Sequence, residues 1–347
     1  MFDKTSFCQL RVSKSRVIKC LKALFFISIL IYLILNLPDL LIHIKAVSLS
    51  TMAGLIVLQL LAMLVIAYQW KLCDKVLDIK PSPEHCPKRN GKLRVMDFWI
   101  LNSYGKLLEG ITPGAKTGGE GLKAVMLVNK FKHTKKDAVI LVLIQKSVSL
   151  VSFLSILIAL CVIFSVQGSH TLINLSNVVK ILAIIALAII SLGLILKYIS
   201  QKNSKYKELL KLDELISTLR KRKFFVFLAF LLGLFNWTLL CSSAFLISLD
   251  MELGLSGLQV ANATFMGYLF SMIPISPGGI GTYEGAMTLQ LSNFNVTYSS
   301  ALGLSILSRV FTFWIAILIS FFTITLIKVK KKGKMINFGS LTALLFS

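Results

Sequence analysis

Ile275-Ser276-Pro277-Gly278-Gly279-Ile280-Gly281-Thr282-Tyr283-Glu284-Gly285 interrupts an otherwise apolar stretch. Ile111-Thr112-Pro113-Gly114-Ala115-Lys116-Thr117-Gly118-Gly119-Glu120-Gly121 does the same earlier in the chain, Pro113 standing 164 positions before Pro277. Aligned at the proline, both read Pro-Gly, five residues, Glu-Gly, with Thr112 or Ser276 before the proline. Proline ends a helix and frees carbonyls. Gly118-Gly119 and Gly278-Gly279 let the backbone turn tightly and approach another group. A helix restarting after the break aims unpaired N–H groups and a positive dipole end at it, which suits phosphate or carboxylate.

Outward from the breaks lie long apolar runs. A spanning helix needs about 20 apolar residues. Six runs qualify, roughly 21–37, 52–69, 138–166, 178–199, 224–248 and 299–327. They are continuous and do not alternate, which argues against a barrel. Of 347 residues 56% are apolar and 15% charged, with a mean hydropathy of +0.79. Such a balance excludes a soluble enzyme, a secreted disulfide scaffold and a disordered chain.

The formal charge of +23, from 38 basic and 15 acidic residues, is topological. The N-terminal tail to Lys22 and the stretches 71–94, 116–136, 197–223 and 328–334 hold 33 of the 38 Lys and Arg. The intervening connections 38–51, 167–177, 249–257 and 288–298 hold Lys45 alone. Basic loops stay in the cytoplasm, so both termini are expected inside. The excess charge then meets anionic lipid headgroups, and no nucleic-acid partner is expected.

Residues 93–136 and 257–298 are too long for loops and too interrupted for one helix. Two spans precede each and one follows it. The following spans carry a lone basic residue at matched depth: Lys146, 33 after Pro113, and Arg309, 32 after Pro277. The chain therefore reads as two copies of one unit, about 21–166 and 167–334, between a basic tail (1–20) and a short apolar tail (335–347). The first copy enters from the cytoplasm and the second from outside, so the copies are inverted. The expected fold is an all-α polytopic membrane protein with two inverted-topology repeats. It has about six full spans plus two Pro/Gly-broken segments, re-entrant or paired short helices. Paired interrupted segments in inverted halves point to a binding site near the bilayer midplane.

The candidate path follows. Pro113, Gly114, Gly118, Gly119, Pro277, Gly278, Gly279 and Gly281 supply backbone for a headgroup. Glu120 and Glu284 either sit in first turns for dipole reasons or pair with the basic residue of the following span. Arg309, about 11 residues into its run, must face a partner or a cavity, because arginine there costs a few kcal/mol. Lys146 and Lys116 line the path or snorkel to the inner face. Tyr283 is a cavity-lining candidate, and Tyr104 an interfacial anchor. No cofactor and no metal is expected. His85-Cys86 with Cys73 has weak ligand spacing, and the six cysteines are expected as free thiols. The run to Leu37 is expected to be the first span rather than a cleaved signal, and 200–223 an amphipathic helix on the inner leaflet.

The Pro277–Glu284 stretch and Ser308-Arg309-Val310-Phe311-Thr312-Phe313-Trp314 resemble the transmembrane region of lysylphosphatidylglycerol synthases. The copy from Pro113 to Glu120, followed by Lys123, resembles that family's upstream motif. The likeness covers about 15–330. It implies a flippase-like domain that moves a lipid between leaflets of the bacterial cytoplasmic membrane. In bifunctional members the lipid is aminoacyl-phosphatidylglycerol, a phospholipid tied to antimicrobial-peptide resistance. The chain leaves no room for the cytoplasmic synthase domain, so a standalone member is expected. Its partner is then a membrane phospholipid, with a separate aminoacyl-lipid synthase or glycosyltransferase in the cytoplasm. The alternatives are lysyltransferase-type synthesis in a split system, and polyprenyl-phosphate-sugar translocation or scaffolding of a glycosyltransferase. Where the family carries Glu-Arg in the span after the first motif, this chain has Gln145-Lys146.

Overall fold

A computed structural model describes residues 46–77, 93–111, 117–131, 133–166, 219–273, 276 and 278–332. The runs 21–37 and 178–199, most of the 200–223 segment, both tails and His85-Cys86 lie outside the described residues. So do Pro113, Gly114, Lys116 and Pro277.

Every regular element among the described residues is a helix. In chain order they are α1 (Leu49–Leu77), α2 (Val95–Ile111), α3 (Thr117–Asn129), α4 (Lys135–Val166), α5 (Lys223–Asp250), α6 (Gly257–Ser271), α7 (Thr282–Ser292), α8 (Tyr298–Arg309) and α9 (Ile315–Lys332). A π-helical turn, Val310–Trp314, joins α8 to α9. Four stretches are long and apolar enough to cross a membrane: α1, α4, α5 and the continuous run Tyr298–Ile327. At 1.5 Å per residue the 29 residues of α1 reach about 43 Å, beyond the ~30 Å hydrocarbon core. Val57, Phe227, Val151 and Phe322 on these four are more than half exposed. That surface suits acyl chains, since a water-soluble monomer does not carry so much apolar area.

Each interrupted segment is a pair of short helices, α2–α3 and α6–α7. At 17, 13, 15 and 11 residues none reaches the length of a comfortable span. Their ends follow local rules. Ser256 caps α6 by accepting from Gln259 N at 3.3 Å, while Gln259 Oε1 accepts from Ser256 N at 2.8 Å, a capping box. Thr134 caps α4 by accepting from Asp137 N at 3.1 Å. Gly118 and Gly119, expected in the first break, lie within the first turn of α3. Gly119 instead serves close approach. A Cβ there would stand 2.6 Å from Gly105 O and 2.7 Å from Glu109 Cγ, so α2 and α3 touch backbone to backbone.

The two halves pack reciprocally. α1 lies along α5, α2 against α9, and α6 against α4. Gln69 Nε2 on α1 donates to Ala229 O on α5 at 3.0 Å. Trp99 Nε1 on α2 donates to Thr323 Oγ1 on α9 at 3.3 Å. Phe153 on α4 stacks on Phe265 of α6 with centroids 4.9 Å apart. In lipid such close packing and interhelical hydrogen bonding hold helices together, the hydrophobic effect having been spent on insertion.

Gly233 on α5 marks a tight helix crossing, where an added Cβ would collide with Ser152 Oγ and come within 3.0 Å of Gln69 Nε2. Ser152 cannot simply turn away, because its one hydroxyl proton is shared between Val148 O and Phe230 O, at 2.9 and 3.0 Å. Gly233→Ala is expected to destabilise by ~1–3 kcal/mol through overpacking. Gly54→Ala, where a Cβ meets nothing within 4 Å, is expected to be neutral or slightly stabilising. Thermal melts in detergent compare the two, and equal melting temperatures would contradict the tight crossing.

Candidate functional site

The breaks converge on charged pairs. After the second break, Gly278, Gly279 and Gly281 hold φ of 62°, 73° and 83°, a region L-residues enter at a cost. The turn frees the Gly278 carbonyl, which accepts from the Arg309 guanidinium. It also starts α7 at Thr282, with Glu284 in its first turn. There Glu284 Oε2 accepts from Gly281 N at 2.7 Å, and Oε1 lies 3.9 Å from Arg309 Nε. Arg309, 2% exposed, lies between two rings, its Cζ 4.8 Å from the Tyr283 centroid and 4.4 Å from that of Phe313. Such stacking suits a planar, weakly hydrated cation.

The first break gives a different arrangement from the same Glu. Glu120 Oε1 lies 2.7 Å from Lys146 Nζ and 2.9 Å from Lys123 Nζ. Lys123 also lies over the buried Trp70 ring, 5.4 Å from its centroid. Gln145, the neighbour in the departed Glu-Arg position, donates from Nε2 to Gln69 Oε1 at 3.1 Å and to Ser149 Oγ at 3.0 Å. Lys146 therefore finds its carboxylate on α3 rather than beside itself on α4.

Between the pairs lies a cavity of about 150 Å³ walled by both halves. Lys146, Arg309, Lys123, Lys106 and Glu109 reach its wall, with Gln69, Asn102, Gln145 and Asn236 among them. Glu120 and Glu284 stand one layer behind, holding the cations that line it. Tyr283 is not on the wall either. It is fully buried and backs Arg309, because its ring occupies the space left by Gly267, where a Cβ would come within 2.8 Å of it. Tyr268 takes the wall position instead, its hydroxyl donating to Thr312 Oγ1 at 3.2 Å. Tyr104 lies near Lys130, whose Nζ is 5.7 Å from the ring centroid. The π turn brings Thr312 and Phe313 to the wall directly after Arg309; local π geometry often marks functional positions.

Sequence reading passed over Asn102, Lys106 and Glu109. Their spacing of four and three residues puts them on one face of α2, a signal present in the sequence. Lys106 Nζ lies 3.2 Å from Glu109 Oε2. The site is unequally divided. α1 to α4 supply most of the polar wall, and the second half supplies Arg309, Asn236, Tyr268 and Thr312, with the Glu284 carboxylate behind Arg309.

Removing the shared carboxylate is expected to hurt more than removing one of its cations. Glu120→Gln leaves two ammonium groups facing an amide. Lys146 is 42% exposed, so the cost is expected at ~2–3 kcal/mol, below the ~3–5 kcal/mol of a fully buried broken pair. Lys123→Met leaves Glu120 held by Lys146 and is expected to cost less than half as much. Melting of the purified variants decides it, and the reverse order would contradict the shared-carboxylate geometry.

A family model described as the lysylphosphatidylglycerol synthase transmembrane region matches residues 20–320. A UPF0104 membrane protein of Methanocaldococcus jannaschii is 22% identical, over 94% of this chain and 99% of its own. A UPF0104 membrane protein of Methanothermobacter thermautotrophicus is 20% identical, over 75% of this chain and 80% of its own. No solved structure matches.

Proposed function

The chain belongs to the lysylphosphatidylglycerol synthase transmembrane-region family, and on that ground we propose that it is a flippase-like transporter of the cytoplasmic membrane. Its cargo is a phospholipid or related lipid whose phosphate headgroup crosses through the cavity. One observation carries this: the cavity joins cations from both halves, Lys106, Lys123 and Lys146 with Arg309, at a place walled by intramembrane helices. Ionisable side chains at such depth are expensive and mark substrate paths. The irregular backbone at Gly278–Gly281 is tolerable there because it is packed in protein beside the cavity.

Four cations and the three carboxylates Glu109, Glu120 and Glu284 leave one excess positive charge, the complement of one phosphodiester. The two halves act as inverted repeats, and rocking one against the other exposes the cavity to each leaflet in turn. Arg309 joins the repeat-two break to the wall, so its guanidinium senses both the headgroup and the helix restart at Thr282.

Leaflet-resolved lipid analysis tests it. Cells with and without the chain are treated with two impermeant reagents, one reacting with amines and one cleaving vicinal diols. Total lipid is expected to stay constant while outer-leaflet exposure of one phospholipid falls without the chain. Wild type restores exposure; Glu284→Ala, present in the membrane at wild-type amount, does not. A change in total synthesis, or full restoration by Glu284→Ala, would overturn the proposal.

A further inference from the structure

We propose that Gly105 is a positioning residue for the headgroup site: lacking a side chain, it lets Lys123 cross α2 and bring its ammonium to the cavity, so that the residue at 105 sets how many cations meet the lipid phosphate. This deepens the transport proposal and rests on the cavity being the headgroup path.

Lys123 starts on α3 and reaches the cavity wall. Its side chain is 7% exposed, so the stem is packed along almost all of its length. The fully buried Trp70 ring of α1 lies close to its end, 5.4 Å from Nζ to the ring centroid. α2 passes it at Gly105, where an added Cβ would collide with Lys123 Cε and stand 3.3 Å from its Cδ and Cγ. The methylenes of the stem therefore lie on bare backbone, as the apolar part of a lysine does when its charged end must travel. At that end Nζ lies 2.9 Å from Glu120 Oε1, the atom that also meets Lys146 Nζ at 2.7 Å. Gly105 is buried and does not itself reach the cavity wall. It acts on the wall through Lys123.

The kind of neighbour decides what each glycine of this hairpin is for. At Gly119 an added Cβ meets backbone, Gly105 O at 2.6 Å, and backbone cannot step aside. At Gly105 the colliding atoms are the outer atoms of a flexible side chain. A methyl group there is absorbed by swinging Lys123 away, and alanine favours the helix over glycine. The fold is kept and the cavity loses a cation. Four cations against three carboxylates become three against three, which weakens the attraction for an anionic headgroup. The second hairpin has a counterpart. Gly267 of α6 leaves the space filled by Tyr283 of α7, the ring that backs Arg309. In both hairpins a glycine of the first helix seats the residue of the second that brings a cation to the wall or holds one there.

The purified full-length chain in detergent is titrated with dioleoyl-phosphatidylglycerol at low and high sodium chloride. Apparent Kd is read from the fluorescence of Trp99 and Trp237, both on the cavity wall. Gly105→Ala and Lys123→Ala are each expected to bind about tenfold more weakly than wild type at low salt, the scale of one unit charge removed from a partly wet site. Both are expected to respond less to salt, since one charge fewer is left to screen. Gly105→Ala is expected to melt close to wild type. The double variant is expected to bind no more weakly than Lys123→Ala alone, because the two positions act as one contact. If Gly105→Ala does not fold, the double variant reads the same contact: truncating Lys123 removes the collision and is expected to restore folding.

Wild-type affinity in Gly105→Ala, or an unchanged response to salt, would overturn the role of Gly105 while leaving the phosphate path standing. So would losses that multiply in the double variant, or a double variant that does not fold although Lys123→Ala does. Failure of the wild-type chain to bind the lipid at either salt concentration would overturn the phosphate path itself.

Discussion

Arg309→Ala is expected to abolish lipid transport and to cost ~3–5 kcal/mol of stability, the range for removing one partner of a buried ion pair. The side chain is 2% exposed and does three things at once. It donates to the Gly278 carbonyl freed by the break, faces Glu284 at 3.9 Å, and separates the rings of Tyr283 and Phe313. Its loss leaves a carboxylate without its cation and a carbonyl without its donor, in surroundings where neither is replaced cheaply. Arg309→Lys is expected to recover part of the stability and little of the transport. A lysine restores the charge, but a compact ammonium cannot stack between two rings and reach a carbonyl with a planar fork. Paired melting and transport assays check both variants. Normal transport by Arg309→Lys would show that charge alone suffices.

Gly278→Ala is the second large effect, expected at ~2–5 kcal/mol with loss of transport. Two causes add. A non-glycine residue at φ of 62° is strained by ~1–2 kcal/mol, and overpacking costs a further ~1–3 kcal/mol. The added Cβ would stand 2.6 Å from Phe313 Cζ, the ring that covers Arg309. The substitution therefore displaces the stack, and with it the cation on the cavity wall. Gly285→Ala is the control, since a Cβ there meets nothing within 4 Å and lies inside α7. It is expected to keep both stability and transport. A Gly278→Ala variant that melts with wild type would contradict the placement of Phe313 against the turn.

Much of the fold was legible because lipid imposes long unbroken apolar runs. The expected runs 52–69, 138–166, 224–248 and 299–327 fall within Leu49–Leu77, Lys135–Val166, Lys223–Asp250 and Tyr298–Ile327. The matched Glu and basic positions led to Glu120 beside Lys146 and Glu284 beside Arg309, since each spacing joins a helix start to the depth of the next long helix. What escaped was local. Gly118-Gly119 and Gly278-Gly279 look alike in sequence, yet the first pair is helical and serves the contact with Gly105. Only the second pair makes a left-handed turn. That choice is made by the packing of α2 on α3, which no short motif encodes. Tyr283, a cavity-lining candidate in the sequence, is instead buried behind Arg309, next to Glu284. Helix geometry turns adjacent side chains about 100° apart, so one faces Arg309 from the side and the other from behind. The polar wall on α2 was missed because the reading of 93–136 rested on its Pro-Gly break, and the helix face shared by Asn102, Lys106 and Glu109 lies ahead of that break.

The most direct test of transport uses the purified chain in proteoliposomes holding a trace of acyl-labelled fluorescent phosphatidylglycerol. Dithionite added outside bleaches only label exposed in the outer leaflet. Vesicles with the wild-type chain are expected to lose nearly all fluorescence, inner-leaflet lipid reaching the reagent, while Arg309→Ala vesicles stop at the protein-free plateau. Wild-type vesicles that also stop at that plateau would contradict the claim that this cavity carries a phospholipid headgroup across the bilayer.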